Sequence, residues 1–500
     1  MSDLSNTAPS PASQPKPPQS AVLIPRPKPV WVVDQRDRLA LLFALLVALL
    51  TVQVLLYSRY MPGLGMAVLV GVWYALRLWH GGKAAFATKE SRLLLAAVVL
   101  LTLTFVLFSN VYLRLLNTLL LFCLIVVQLF EGIPGAKAWS APAMLPRRAY
   151  LFLDGLFGRV GSVGAVLASL GKGTRQKRVL AALAGGAVGI GLLCIIFPLL
   201  RSADAVFSSL TDQIVHWLQV NLGSAFARLL LAVMLTPFLF SLLYQLRYPK
   251  ADTTASEHTT SKPTLEPAMP IVLLLLLDAT YVFFLGTQLA ALFGGEAYVA
   301  AVGVSYAEYA RSGFFQLVWV SLLNLTAVLS CIHFSRREGL GGRMVRLLAA
   351  VLVALTAVLL SSACARMTLY VTMYGLSMKR LFTYWAMAFL AVCLLCALWK
   401  IFHPTFGFFR VFFSMGLTAW LLFNYVGPDA LIARYNVNAY QSGQIGWIDT
   451  DYLGTLSYDT LDYLEGIPSC DRLIREQRAQ AAQEASSWQT WSLSAWRAAH

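Results

Sequence analysis

Apolar runs long enough to cross a bilayer recur along nearly the whole chain. A transmembrane α-helix needs about 20 apolar residues to cover a hydrocarbon core of roughly 30 Å. The clear runs are residues 39–57, 93–108, 179–200, 271–293, 313–334, 347–364 and 381–401. Weaker runs, interrupted by Gly, Pro or a charge, are 62–79, 113–130, 229–244 and 411–431. The sequence therefore predicts an all-α polytopic membrane helix bundle with about eleven transmembrane helices.

The composition agrees with lipid as the main solvent. Only 13% of the residues are charged and 58% are hydrophobic, whereas about 25% of an average soluble domain is charged. The net charge of +15 would suit a nucleic acid, but the basic residues lie in alternate loops between the apolar runs. About two thirds of the 39 Lys and Arg residues lie on the side of the amino terminus. The positive-inside rule then predicts a cytoplasmic amino terminus, an extracytoplasmic carboxyl terminus and no nucleic-acid partner.

The spacing of the runs predicts five segments. They are a disordered Pro-rich cytoplasmic tail (1–35), a first transmembrane half of about six spans (36–245), a polar cytoplasmic linker (246–268), a second transmembrane half of about five spans (269–432) and an extracytoplasmic segment (433–500). The tail cannot bury enough apolar surface to offset the entropy of ordering it. The first apolar run is too long and begins too late for a cleaved signal peptide, so we expect it to remain as an anchor.

The loop before the run at 179–200 has apolar residues at helix-like spacing beside arginines, over 147–170. This pattern predicts an amphipathic helix along the cytoplasmic membrane interface. A cluster of basic side chains that would contact anionic lipid headgroups follows. Its members are Lys172, Arg175, Lys177 and Arg178. An ordinary topology signal explains the same charges without specific lipid recognition.

Asp278 is the clearest ionisable residue inside an apolar run, in the stretch IVLLLLLDATYVFF. A charged side chain at the centre of a bilayer costs about 2.5 to 3.5 kcal/mol on insertion scales, so such residues usually face a bundle interior or a cavity. One interpretation is a proton or cation site. The other is a protonated or hydrogen-bonded packing residue, with Tyr281 three positions on as its partner.

The stretch SYAEYARSGFF places charges directly before the run at 313–334. Glu308 and Arg311 are three residues apart and so share one face of a helix. At a wet interface such a pair contributes little. In the mouth of the bundle it would close a gate or hold an anionic group through the guanidinium. With Tyr309, these residues join Asp278 and Tyr281 as the candidate polar or transport site.

Four stretches carry a resemblance to a known family. They are LLRSADAVF, SYAEYARSGFFQLVWVSLLNL, ARYNVNAY and DTDYLGTLS, in that order. Together they resemble the pattern of an uncharacterised group of bacterial multi-pass membrane proteins, the domain of unknown function 4153/4173, over roughly residues 180–465. The resemblance implies an integral protein of the bacterial inner membrane. It implies no substrate, cofactor or catalytic residue.

The remaining patterns predict neither a cofactor nor a metal site. The seven cysteines lie mostly in apolar runs, and the six histidines have no ligand spacing. The aspartates after residue 448 lack the glycine and terminal Glu of an EF-hand loop. Two short helices near 451–456 and 458–465 are expected to pack on the outer face of the bundle. An amphipathic helix is expected at the tryptophans that follow, Trp488, Trp491 and Trp496.

Three hypotheses for function stay open. A transport- or channel-like protein predicts one polar cavity lined by the candidate site. A non-catalytic envelope scaffold or sensor predicts a dry bundle, with a protein partner on its outer segment. A membrane-embedded enzyme, the least favoured, needs several acids or a His–acid pair that meet at one interface.

Overall fold

The computed structural model describes residues 31–82, 88–131, 144–170, 204–249, 265–301 and 314–500, together with single positions between these ranges. The described residues are helical, and the only bridge of β type among them joins Leu265 to Ser335. The predicted all-α class is confirmed.

The described helices of the first half are α1 (Gln35–Leu55), α2 (Leu64–Gly81), α3 (Lys89–Leu107), α4 (Val111–Leu129), α5 (Met144–Phe157), α6 (Gly161–Leu170) and α7 (Ala205–Arg247). The first four follow the predicted apolar runs closely, α5 and α6 lie in a predicted loop, and α7 begins well before its predicted run. Side-chain caps define several of their starts. Asp34 forms a capping box with Asp37 at α1, and Thr88 and Asn110 accept from the third backbone N–H of α3 and α4. These caps satisfy N–H groups that have no partner in the first turn.

Among the residues that the structure describes, the second half and the segment after it contain ten further α-helices. They are α8 (Ala268–Ala301), α9 (Phe314–Phe334), α10 (Gly339–Tyr374), α11 (Met378–Phe402), α12 (Phe408–Tyr425), α13 (Pro428–Gln441), α14 (Thr450–Leu453), α15 (Leu461–Leu464), α16 (Asp471–Ala485) and α17 (Leu493–Ala499). Short 3-10 turns occupy Tyr458–Thr460 and Pro468–Cys470. The chain bends by 54° between α12 and α13, where Gly427 has a positive φ of 71° that favours glycine.

The bundle has two ends that the contacts define. At the end where α1 begins, which we call the proximal end, Asp37 contacts His80 and Arg247. At the opposite end, which we call the distal end, the carboxyl terminus of α3 and the start of α4 contact the segment after α13. Residues 31–38 and 484–500 therefore lie at opposite ends of the bundle.

The number of membrane-length helices is close to the predicted eleven. Among the described residues, nine helices are long and apolar enough to cross a membrane, or ten if the bent pair α12–α13 is one span. The helix α2, predicted as a weaker span, forms but is not among the nine, whereas Met144–Ser169 is among them. The predicted span at 179–200 falls mostly outside the described residues. Before this gap, Ser169 accepts a hydrogen bond from Arg38 near the start of α1, and after it Arg228 on α7 donates to Gln53 near the end of α1.

Hydrogen bonds and an ion pair hold α5 and α6 at the proximal end. Arg148 donates to the carbonyl of Val127 and pairs with Glu131, where α4 ends. The hydroxyl of Ser241 donates to the carbonyl of Gly155, near the end of α7. Together with the Arg38 contact to α6, these bonds hold α5 and α6 across the proximal end of the bundle. This segment contains the predicted interfacial helix at 147–170, which stays a prediction because no membrane is present.

The buried side chains form two main cores. One joins α1 to α5 with the end of α7, and α12 adds Trp420 and Phe423 to it. The other joins α8 to α11 with α13 and the segment that follows. Thus α12, although it comes late in the chain, packs on the first half.

Residues 442–500 fold into a compact distal unit on the bundle. Short helices form near both predicted positions, and Leu453, Leu461 and Leu464 are buried against the second core. Helix α17 contains Trp496, whereas Trp488 lies in the turn before it.

The distal unit also bonds to the start of α2 through the backbone. The N–H groups of Gly63 and Gly65 donate to the carbonyl of Gln489, at 2.8 and 3.1 Å, and the N–H of Leu64 donates to Trp491. A Cβ on Gly63 would lie 2.1 Å from the Trp491 carbonyl oxygen. This close approach explains a glycine at that position.

Candidate functional site

Asp278 lies deep in the membrane-length part of α8. It follows the start of the helix by ten residues, a rise of about 15 Å, which is half the thickness of a hydrocarbon core. The residue is 7% exposed, and Leu274, one turn earlier on the same face, is fully buried. Neither carboxylate oxygen has a hydrogen-bond partner among the described residues. A buried carboxylate is costly unless hydrogen bonds or a counter-charge replace its hydration.

Tyr281 is not the partner of Asp278. Its hydroxyl donates to Oδ1 of Asn324 on α9 at 2.8 Å, and Nδ2 of Asn324 donates to the Thr356 hydroxyl on α10 at 2.9 Å. The Thr356 hydroxyl donates in turn to the carbonyl of Leu352. The expected Asp278–Tyr281 hydrogen bond is therefore wrong, because Tyr281 completes a polar chain through three helices.

A cavity of about 330 Å³ opens beside this chain. Its polar lining comes from Thr280, Tyr281, Gln316 and Arg366, and its apolar lining includes Leu317. Arg366 precedes the distal end of α10 by eight residues, so the cavity lies between the level of Asp278 and the distal end. Asp278 itself is not among the lining residues.

Two groups of predicted site residues fall outside the described residues. They are the charged stretch before α9, with Glu308, Tyr309 and Arg311, and the basic cluster, with Lys172, Arg175, Lys177 and Arg178. Both groups stay predictions. Of the candidate polar site, the structure describes Asp278 and Tyr281, one turn apart on α8.

A second polar cluster, which sequence reasoning missed, centres on the fully buried Asp37 at the proximal end. Its Oδ1 lies 2.9 Å from Nε2 of His80 and 2.8 Å from Nη1 of Arg247. The Tyr248 hydroxyl donates to Oδ2 at 3.2 Å. Burial and the charge of Asp37 raise the pKa of Tyr248 to about 12. Both Asp37 and His80 are closed to solvent, so this His–acid pair is structural as it stands and offers no route for a substrate.

Asp34 extends this cluster towards solvent. Its carboxylate pairs with Arg247 at 2.5 Å and is partly exposed. Burial acts to raise the pKa of Asp34, but the hydrogen bonds from Arg247 and from the Asp37 backbone outweigh it and lower the pKa to about 2. A single arginine near the end of α7 therefore pairs with two carboxylates at the start of α1.

A third polar cluster joins the distal unit to the first half. Nη1 of Arg114, on α4, lies 2.8 Å from Oε1 of Glu484 on α16, and both side chains are buried. The guanidinium also donates to the carbonyls of Phe105 and Phe108 at the end of α3. The Tyr458 hydroxyl donates to Oε2 of Glu484 at 3.0 Å, and burial raises the pKa of Tyr458.

Asp429 makes a parallel link nearby. Its Oδ2 accepts from Nδ2 of Asn110 at 2.6 Å and from the backbone N–H of Ser457 at 2.9 Å. The hydroxyls of Ser109 and Ser494 lie 3.0 Å apart beside it. The connection between α3 and α4 is therefore bonded to α13, to the turn at Ser457 and to α17.

The sequence contains a signal for the proximal cluster. Asp37 stands in the first turn of one apolar run and His80 in the last turn of the next. Two consecutive antiparallel spans bring those two turns to the same end of the bundle. No comparable signal links Arg114 to Glu484, because they are 370 residues apart.

The described residues contain no group of three His, Cys, Asp or Glu side chains that could hold a metal ion. Cys393 and Cys396 are free thiols on α11, in the apolar setting expected of packing residues. The clusters of this protein are therefore ion pairs and hydrogen-bond chains.

A protein-family model described as Domain of unknown function (DUF4153) matches residues 95–467. The match covers most of the chain, from α3 to α15, and includes Asp278, Arg114 and Asp429. It begins well before the resemblance seen in the sequence motifs. No curated protein and no solved structure matches the chain.

Proposed function

The chain belongs to the family of the domain of unknown function DUF4153, and from its own residues we propose that it is a transport- or channel-like protein of the bacterial inner membrane. The observation that carries the proposal is Asp278, a carboxyl group at mid-membrane depth with no hydrogen-bond partner among the described residues. Such a group takes up a proton, or a cation in place of one. The bundle retains it despite its cost to stability.

The polar chain and the cavity beside it support a path towards the distal end. Tyr281, Asn324 and Thr356 provide hydroxyl and amide groups within the second half. The cavity begins at Tyr281 and extends towards the distal end, where Gln316 and Arg366 line it. We propose that a proton or small cation moves between Asp278 and the distal side along these groups, and that Glu308 and Arg311, which lie outside the described residues, take part in the same path.

The proposed orientation places the proximal end in the cytoplasm. The predicted inner segments hold about two thirds of the Lys and Arg residues, and these segments flank the proximal end. The distal unit then lies on the extracytoplasmic side. Fusions after His500 test this directly: alkaline phosphatase is expected to be active there, and a fluorescent protein folded only in the cytoplasm is expected to stay dark.

Cysteine accessibility tests the path. Asp278→Cys is made in a chain whose seven native cysteines are replaced, and intact cells are treated with a small membrane-impermeant thiol reagent. Leu274→Cys, one turn away on the same face and fully buried, is the matched control. We expect labelling at position 278 and none at 274. Equal protection at both positions would contradict a water-filled path.

Proton movement tests the chemistry. The purified protein is reconstituted in liposomes with a pH gradient, and a pH-sensitive dye reports the internal pH. Asp278→Asn keeps the shape of the side chain but cannot ionise, so we expect it to abolish the protein-dependent flux. A flux that persists in Asp278→Asn would exclude this carboxyl group as the proton site.

A second candidate, an envelope scaffold or sensor, rests on a different observation. The distal unit exposes the large aromatic side chains of Trp447, Tyr463 and Trp488, which are residue types that favour protein interfaces. A photoreactive side chain at Trp447 would then give a discrete cross-linked product in cells, and one at the exposed Arg472 would not. If position 278 is protected from the thiol reagent and the cross-linked product forms at Trp447, the scaffold is favoured.

A further inference from the structure

A groove of about 640 Å³ runs along the second half at its proximal end. One wall is the last part of α9, with Leu322, Leu325 and Leu329. The other is formed by the loop after α11 and the first turns of α12, which include Phe406 and Phe412. The groove is therefore mostly apolar, with Thr326, Ser330 and His333 as the polar residues of its α9 wall, and it opens where the helices leave the membrane-length segments.

Two cations stand at the proximal mouth of this groove. Arg337 follows the end of α9 by three residues, and Lys400 is in the last turn of α11. The Lys400 ammonium donates to the carbonyls of Pro404 and Phe406 at 2.6 and 2.5 Å. These bonds fix its position and leave one of its three donors.

Arg337 and Lys400 carry the same charge and line the same groove. No carboxylate is among the described residues that line the groove. The ion pair between Arg336 and Glu266 uses a different arginine. Two like charges without a counter-ion among the described residues favour an anion between them.

The length of the apolar wall points to the source of that anion. From Leu322 to Phe334 the helix rises over twelve residues, or about 18 Å. One leaflet of a hydrocarbon core is about 15 Å thick. The wall thus matches the acyl chains of one leaflet, and the cations lie at headgroup level. A free phosphate would leave the apolar wall uncovered.

We propose that this groove binds an anionic phospholipid from the leaflet at the proximal end. Its phosphate lies between Arg337 and Lys400, and an acyl chain covers the α9 wall beside Phe412. This site differs from the basic cluster at residues 172–178 and does not depend on the proposed transport. Its occupant would join α9, α11 and α12, and α12 packs on the first half.

Native mass spectrometry of the full chain in neutral detergent tests the site. The protein is titrated with phosphatidylglycerol and with phosphatidylcholine of the same acyl chains. Arg337→Glu reverses one charge at the mouth and supplies Lys400 with an internal carboxylate. Arg343→Glu, at the same end on the exposed face of α10, is the matched control. We expect Arg337→Glu to weaken retention of phosphatidylglycerol at least about tenfold, and Arg343→Glu to leave it unchanged.

A second variant tests the acyl-chain part independently. Thr326, exposed in the middle of the α9 wall, is replaced by Trp to fill the groove without changing a charge. We expect Thr326→Trp to lose phosphatidylglycerol as well. If instead glycerol phosphate competes and Thr326→Trp has no effect, the site takes a soluble anion and the lipid proposal is overturned. Equal retention of phosphatidylcholine, or full retention by Arg337→Glu, would also overturn it.

Discussion

Arg114 and Glu484 form a buried ion pair, with 2.8 Å between Nη1 and Oε1, across 370 residues of chain. The pair joins the start of a membrane-length helix to the distal unit. Because the same guanidinium also donates to the carbonyls at the end of α3, it satisfies the C-terminal carbonyls of one helix while it binds the distal unit. The distal unit is therefore a structural part of the bundle.

Removal of one partner from this pair is expected to be costly. Glu484→Gln leaves Arg114 buried without a counter-charge, which costs about 3 to 5 kcal/mol in other buried pairs. We expect a fall of several degrees in the midpoint of thermal unfolding, measured in detergent by intrinsic fluorescence.

The exposed pair between Arg478 and Glu465 provides the control. Arg478→Ala should cost no more than about 1 kcal/mol, since exposed ion pairs are screened by water. Equal effects of Glu484→Gln and Arg478→Ala would show that the Arg114 pair adds nothing to stability beyond an ordinary surface contact.

The ion pair of Asp34 with Arg247 predicts a dependence of stability on acid. The folded-state pKa of about 2 is below the ordinary 3.8, so the unfolded chain takes up the proton first. The stabilisation is complete above pH 4 and is lost as the pH falls through about 2. Because the Asp34 side chain is 43% exposed, we expect only about 1 kcal/mol after screening.

The comparison of wild type with Asp34→Asn isolates this contribution, because asparagine still caps α1. The difference between their unfolding midpoints should be largest at pH 5 and should shrink towards pH 2. A difference that stays constant over this range would show that the stabilisation does not depend on the ionisation of Asp34.

The buried carboxyl group of Asp278 should lower the free energy of unfolding. Asp278→Leu removes a buried carboxyl group without a partner, whose desolvation costs about 1 to 3 kcal/mol or more. We expect a higher unfolding midpoint for Asp278→Leu, together with loss of any proton flux, which is the trade-off typical of functional residues. A lower midpoint would indicate that Asp278 has a stabilising partner in the membrane.

Gly63 should hold the distal unit to α2. Gly63→Ala places a Cβ against the Trp491 carbonyl, whereas a Cβ at Gly71, on α2 itself, meets nothing within 4 Å. We expect Gly63→Ala to increase protease cleavage within residues 486–500 severalfold in limited proteolysis, and Gly71→Ala to leave it unchanged. Faster cleavage in both variants would point to a general loosening of α2.

The sequence predicts the helices well because lipid imposes a simple rule on them. Apolar length and polar caps such as Asp34 and Asn110 are local properties, and the observed helices follow them. The mid-membrane position of Asp278 is also readable, since depth follows from distance along the run. The sequence does not predict that Asp278 lacks a hydrogen-bond partner among the described residues, because the Tyr281 hydroxyl donates to Asn324 on another helix.

The contacts between helices could not be predicted from the sequence, for a physical reason. Hydropathy specifies which residues face lipid but not which helices are neighbours, so Arg114 and Glu484 carry no mutual signal. The Asp37–His80 pair is the exception, since antiparallel neighbours bring their ends together. The order of helices around a bundle thus needs the tertiary structure.

The distance between Arg114 and Glu484 along the chain also has a consequence for biosynthesis. At about 5 to 20 residues per second, a ribosome needs roughly 20 to 70 s to add the 370 residues between them. During that interval Arg114 is already inserted with α4 but has no carboxylate. A nascent chain interrupted in this window keeps an unneutralised guanidinium beside the bilayer, whereas the complete bundle buries it against Glu484.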